Sequence, residues 1–320
     1  MLDFGVSRTV SLMAKSAPFI LLRLIVFFVI SLVYVVATGG GAGLGYLVGT
    51  VGDEPAGYAF FGGFIGFLAV SGVIYLMREY LLYMVKAGHI AVLVHLIDGK
   101  AIPNGRRQIE YATAEVRARF VETSVLFAVD QLIKGVLKVI NRLLMTISRF
   151  LPIPGLQGVM GFVNTVLNLS LSYVDEVILA HNIRIQSDNP WASSRDALVL
   201  YAQNFGKMLK NALFLAAIVW ILTLVIFVVM LAPFMAWVSF FPEGAGFWAV
   251  VVAFVFALSV KAALIDPFAM AALIQAFYKV TAGQQPREDW ISRLDAASDK
   301  FRELGEKAGQ RVLPVNSFSP

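Results

Sequence analysis

Four stretches of this chain run for more than twenty residues without an Asp, Glu, Lys or Arg side chain. Between Arg23 and Asp53 lie 29 uncharged residues, between Glu54 and Arg78 lie 23, between Arg149 and Asp175 lie 25, and between Lys210 and Glu243 lie 32. A fifth, from Gly244 to about Tyr278, is interrupted only by Lys261 and Asp266. A helix needs about 20 apolar residues to cross the hydrocarbon of a bilayer. The Leu, Val, Ile and Phe content of these stretches favours helices over the alternating strands of an outer-membrane barrel. Composition points the same way. Hydrophobic residues make up 58% of the 320 and charged residues 15%, against roughly 45–50% and about 25% in soluble domains. One water-soluble globule cannot hide that surplus, so the chain is expected to be an all-α polytopic integral membrane protein. An ordinary soluble enzyme, a fibrous protein and a disordered chain are excluded. Cysteine is absent, which removes disulfides and thiolate chemistry.

The 26 Lys and Arg residues set the expected topology. Arg8, Lys15 and Arg23 precede or open the first stretch, seven lie from Arg78 to Arg119, four from Arg184 to Lys210, and seven from Lys279 onward. The connections at Asp53-Glu54-Pro55 and Phe241-Pro242-Glu243-Gly244 carry none. The positive-inside rule therefore places both termini and the long central connections in the cytoplasm of a plasma (inner) membrane, with the two acidic turns outside. Met1–Lys15 and the run behind it superficially resemble a signal peptide. The run is too long for one, and an uncleaved first span is expected. The spans fall at about 17–50, 56–77, 154–180, 211–240 and 247–278, within a membrane domain 1–280 followed by a cytoplasmic tail 281–320.

Four of the remaining basic residues lie on a helical pattern at 120–150. Lys134, Lys138, Arg142 and Arg149 are spaced by 4, 4 and 7 and share one face, which Asp130 extends by a turn and where it can pair with Lys134. The other faces carry Leu126, Ile133, Leu137, Ile140, Leu144 and Ile147, so the helix is amphipathic. Either it lies in the interface with its bases among anionic lipid phosphates, or it dips into or crosses the membrane with that face along a wet path. Both flanks of 154–180 read as cytoplasmic, so crossings must come in even number. The expected architecture is four firm transmembrane helices plus a central amphipathic or re-entrant helical pair, broken at Leu151-Pro152-Ile153-Pro154-Gly155.

Polar residues inside apolar stretches are the candidate sites. Lys261 sits near the middle of the final stretch, and Asp266 follows five residues later, ahead of Pro267. Five α-helical steps set two residues about 140° apart, so the two are expected not to pair with each other. Each then faces protein or water, as a structural ion pair with another helix or as a charge in a permeation path. A second stripe, Gln157, Asn164, Asn168, Asp175 and Asn182, is spaced by 7, 4, 7 and 7 and falls within about 40° on a helix. With Glu176 beside Asp175 it reads as a polar seam, packed against the basic helix or lining a cavity. Gly41, Gly45 and Gly49, and Gly62 and Gly66, recur every four residues and predict close helix packing.

No catalytic constellation is present. His89 and His95 are six apart rather than at a zinc helix spacing, there is no Gly-x-Ser-x-Gly elbow, and the glycine run at 39–43 lacks the Gly-Lys-Ser/Thr of a phosphate loop. No enzyme activity, cofactor or metal is expected. The net charge of +5 follows from topology rather than nucleic-acid binding.

Three stretches resemble the choline transporter-like family. The segment from Asn189 to Asn204 is similar to one in which small and hydroxyl residues precede a basic–Asp–Ala triplet, here Ser193, Ser194, Arg195, Asp196 and Ala197, with Asn204 eight residues after the Asp. Tyr173–Ile183 resembles the apolar helix entering that segment, and the last span places Asp266 near the family's intramembrane acidic position before Ala276-Phe277 and a polar tail with Arg287-Glu288. The similarity covers residues 90–305. The large external domain and the cysteines of the animal members are missing. The resemblance implies a carrier of choline-like cations or related amines. The leading expectation is therefore transport of a small solute. The alternatives are an oligomeric, anion-favouring channel with basic helices around its pore, and a non-transporting scaffold that organises lipid or partners. Expected partners are the bilayer with its anionic lipid, a small solute or ion, and further copies of the chain.

Overall fold

The computed structural model describes residues 2–77, 82–119, 128–139, 173–238 and 246–310. Every regular element among them is helical, and four helices are long and apolar enough to cross a membrane: Ala17–Gly49, Pro55–Tyr75, Phe205–Ala236 and Val250–Val280. The chain is thus an all-α polytopic membrane protein. It divides into two compact units. One comprises Met1–Ser16, Ala87–Ile218 and Phe268–Pro320, the other Ala17–Lys86 and Val219–Pro267.

The second unit contains only nine of the chain's 47 charged residues, which leaves its helices apolar on nearly every side. Its surface is correspondingly apolar, with Ile25, Phe28, Leu44, Phe61, Ile65, Trp220, Leu224 and Phe254 all more than half exposed. Such side chains need hydrocarbon as their solvent. The Ala17–Gly49 helix continues unbroken through its glycine run, because in lipid a backbone must satisfy its own polar groups. It turns at Thr50–Glu54, where Asp53 takes a left-handed φ of 59° and Glu54 N–H bonds to the Gly49 carbonyl at 3.2 Å. Pro55 opens the return helix, a position where its missing N–H is harmless. The predicted glycine faces meet. A Cβ at Gly41 would strike the Gly62 carbonyl, one at Gly45 the Tyr58 carbonyl, and one at Gly66 the Ala37 carbonyl. Gly39 and Gly43, on other faces of the same helix, have open space.

The first unit has the opposite character: a buried core and most of the charge. Its core includes Ile90, Leu93, Val136, Ile178, Leu198, Met208, Met270, Phe277 and Phe301. The N-terminal helix Val6–Lys15 is tied in by Arg8 to the Ile97 carbonyl (2.7 Å), Thr9 to Gln275 (2.9 Å) and Lys15 to Gln108 (3.0 Å). Asp3 clasps Asn211 and the ammonium of Lys210, 2.8 and 3.2 Å away.

Residues 281–310 are the described part of the segment expected as a cytoplasmic tail. They form two helices, Glu288–Ala297 and Asp299–Gln310, with Ser298 capping the second. Both pack into the first unit, where Phe301 and Leu304 are fully buried. Residues 87–218 and 268–280 belong to this charged, internally packed unit. Composition alone could not separate apolar helices that face lipid from apolar helices that face one another.

Candidate functional site

Two charged side chains, Lys261 and Asp266, interrupt an apolar helix where Gly246–Val260 meets Pro267. Proline has no N–H, and its ring collides with the carbonyl four residues back, here Ala263. The chain relieves the clash with a five-residue π turn, Lys261–Ile265, before α-helix resumes at Asp266. Asp266 N–H bonds to the Lys261 carbonyl, five residues back, instead of to Ala262. The wider turn also brings side chains five apart onto one face. Lys261 Nζ consequently donates to Asp266 Oδ1 at 2.6 Å, with each side chain about a quarter exposed (26% and 25%). The sequence expectation that these two are not partners is overturned. It assumed about 100° per residue, and the π turn winds less tightly than that.

The same turn strands a carbonyl. Ala262 O loses Asp266 N–H, and Pro267 has no N–H to give it. Arg23 of the Ala17–Gly49 helix supplies the donor, Nη2 to Ala262 O at 2.9 Å, with a side chain only 8% exposed. Eight residues further along, Ser31 and Ser259 share a hydrogen bond that links the same two helices. Arg23 thus engages the same turn that carries Lys261 and Asp266. The sequence reading took Arg23 only as the residue that opens the first span. The signal that could have found it was Pro267, because a proline within a span leaves a carbonyl that another helix must satisfy.

Lys261 lies within Val250–Val280, a helix long and apolar enough to cross a membrane. The exposed large apolar residues of its helix are Val250, Phe254, Leu258 and Leu264, and from Phe268 onward the helix runs in the first unit, almost wholly buried. Arg23 stands just inside Leu21, where the exposed apolar band of its own helix begins.

The remaining candidates take mainly packing positions. Arg142, Arg149, Asn164 and Asn168 lie outside the described residues, as does most of 154–180. The described end of that stretch is a separate helix, Val174–Ile185, preceded by a turn at Tyr173. Asp175 and Glu176 are buried in its first turn, where carboxylates suit the helix dipole. Asn182 donates to Ser194 Oγ at 2.8 Å and joins two helices of the first unit. Helix 128–139 buries Val129, Ile133 and Val136, while Lys134 and Lys138 are exposed. Lys134 pairs with Asp130 at 2.6 Å, as its i,i+4 spacing predicts.

The residues that carried the family resemblance build the seat of the C-terminal helices. Asn189 caps Pro190–Gln203 by accepting from Ala192 N–H at 3.2 Å, and its amide donates to the Ala308 carbonyl at 2.8 Å. Arg195 pairs with Asp295 at 2.9 Å and lies over the Phe301 ring, 5.0 Å from its centre. Asp196 is exposed. Asn204 caps the C-terminal end and donates to Gln284 at 2.7 Å. Compared with protein-family models, curated proteins and solved structures, the chain matches none.

Proposed function

We propose that this membrane protein carries a small charged solute, with the Lys261–Asp266 pair as the exchangeable element of its path. The observation that carries this reading is an ion pair, a quarter exposed, on irregular backbone within a helix long and apolar enough to cross a membrane. Ionisable groups in spans are costly to insert and as a rule face protein or a wet cavity. Broken helices form the substrate sites of many carriers. The pair is neutral as it stands, so a solute bearing either charge can enter by competing for one partner. An amine, as the family resemblance implies, would compete with Lys261 for Asp266. An anion would compete with Asp266 for Lys261, helped by Arg23. Residence in a plasma (inner) membrane with both termini cytoplasmic belongs to the same reading. It is supported by the basic residues of the connections and by the gathering of the N-terminal helix, the central segments and the C-terminal helices into one unit.

The test is flux into vesicles reconstituted with the full chain, using radiolabelled choline as the amine probe and glutamate as the anion probe. Uptake of either above protein-free vesicles is expected to fall at least tenfold in Lys261→Met and in Asp266→Asn. A double-mutant cycle of thermal stability serves as the folding control. The direct pair predicts coupling of about 0.5–3 kcal/mol, with the double variant less damaged than the singles imply. Flux that survives both substitutions in folded protein overturns the proposal. One observation favours a second reading, a non-transporting membrane protein that binds lipid: the cavities between the Ala17–Gly49 helix and the helices packed on it are walled almost wholly by apolar side chains.

A further inference from the structure

The helix Val6–Lys15, which precedes the first span, has three unlike faces. At about 100° per residue, Thr9 and Leu12 share one of them. That face is buried: Thr9 is fully covered and accepts from the Gln275 amide at 2.9 Å, and Leu12 is 4% exposed. Ser7, Arg8, Ser11 and Lys15 share a second face and are all exposed. Val6, Val10, Met13 and Ala14 fall within about 100° of one another and make the third. Val6 is 44% and Val10 55% exposed, and Ala14 is exposed as well. The helix thus hides a threonine and shows two valines one turn apart, the reverse of what water selects.

The neighbours of this bare stripe are spans. The helix ends at Ser16, and the next residue, Ala17, opens Ala17–Gly49. Near its other end Phe4 packs against Phe214, ring centres 6.3 Å apart, and Asp3 pairs with Lys210 at 3.2 Å. Both partners belong to Phe205–Ala236, a helix long and apolar enough to cross a membrane. On that helix Lys207 and Lys210 are exposed, Leu213 is the first exposed large apolar side chain, and Phe214 follows it. Its surface therefore changes from charged to apolar within about a turn, beside the start of the N-terminal helix. A helix joined to spans in this way, with an apolar stripe next to a stripe of hydroxyl and basic side chains, has the form of one that lies in the interface of a bilayer.

We infer that Val6–Lys15 lies in the interfacial layer of the bilayer, with Val6, Val10 and Ala14 toward the acyl chains and Ser11 and Lys15 toward headgroups and water. Acyl chains take the exposed valine surface out of water, which favours the arrangement, and the second stripe keeps its polar groups hydrated. A second copy or a soluble protein on the same stripe would instead shut out lipid and water alike. The inference does not rest on transport, because an interfacial helix without flux leaves it intact.

The chain has no cysteine, so single thiols can be introduced without background. Val6→Cys, Val10→Cys, Ser11→Cys and Lys15→Cys would each be labelled with a nitrobenzoxadiazole fluorophore and the full chain reconstituted into vesicles of dioleoyl phosphatidylcholine and phosphatidylglycerol. One quencher is a phosphatidylcholine with a nitroxide high on its acyl chain, the other iodide present on both sides of the membrane. Labels replacing Val6 and Val10 should be quenched by the nitroxide lipid about threefold more strongly than those replacing Ser11 and Lys15, with the order reversed for iodide. Only variants whose unfolding midpoint matches the parent's are compared, and Ala14→Cys stands in for either valine that fails this control. Equal iodide quenching on the two stripes would place the valines in water. Protection of the valine positions from both quenchers would place them against protein. Either result overturns the inference.

Discussion

His181 shows how much a residue's behaviour depends on what folds around it. Its sequence position, among apolar neighbours on the Val174–Ile185 helix, says only that it is half-hidden. In the fold its ring stands edge-on to Phe277 at 5.9 Å, with Arg184 one turn away. Burial, and secondarily the Arg184 charge, lowers its pKa from 6.5 to about 4. The unfolded chain takes up a proton near pH 6.5 and the folded chain resists it until about pH 4. Stability is therefore fully present above pH 6.5, declines as the pH falls through that window, and levels off below it. The decline amounts to at most about 3 kcal/mol. Denaturation of the purified protein at pH 7.5, 5.5 and 4.5 should show it, and His181→Phe should flatten that part of the profile. Asp3 acts lower on the scale. Hydrogen bonding from Asn211 above all, with Lys210 and Lys279 nearby, holds its carboxyl below the ordinary value of 3.8, so its stabilising effect is lost only as the pH falls through that lower value.

Among the elements, the hairpin of Ala17–Gly49 and Pro55–Met77 offers the sharpest contrast. Its glycines divide into those that face a backbone and those that face open space. At Gly45 and Gly62 an added methyl would meet a carbonyl of the partner helix, which cannot swing aside as a side chain can. Gly45→Ala or Gly62→Ala should push the helices apart and destabilise by about 1–3 kcal/mol, the usual range for overpacking. Gly39→Ala and Gly43→Ala meet nothing within 4 Å and should be neutral or stabilise by up to about 1 kcal/mol through helix propensity. Thermal unfolding in detergent would compare the four, and equal effects at facing and open positions would contradict the packing. The repeats at 41, 45, 49 and 62, 66 were legible as a packing face because helical periodicity is local. The π turn was not legible, because it depends on how Pro267 and the Ala262 carbonyl are settled by an arginine 239 residues away.

For the whole molecule the testable matter is sidedness. The apolar segments Ala17–Gly49 and Pro55–Met77 form one antiparallel hairpin, and the basic residues avoid the two acidic connections at 53–54 and 243. Reporter tags at residues 1 and 320 should therefore read the same, cytoplasmic side, and a tag inserted near Asp53 the opposite side. A C-terminus that a protease reaches in sealed right-side-out vesicles would refute this. Removal of residues 288–320 should destabilise the charged unit rather than trim a loose end, because Arg195, Asn189 and Trp191 all engage the C-terminal helices.

The sequence by itself determined the solvent of this protein, its helical class, the positions of its four long apolar helices and the faces on which glycines pack. Each of these follows from runs and periods of neighbouring residues, and a bilayer leaves a long apolar run little choice but helix. The tertiary structure alone decided which apolar residues are exposed and which are buried in protein, that Phe301 and Leu304 of the C-terminal segment are buried, and that Lys261 and Asp266 are partners. Those outcomes turn on burial and on hydrogen bonds between residues far apart in the chain, such as Arg23 with Ala262 and Asn189 with Ala308. A hydrophobic run carries no mark of its neighbour, and a carbonyl stranded by a π turn does not tell which distant donor will satisfy it.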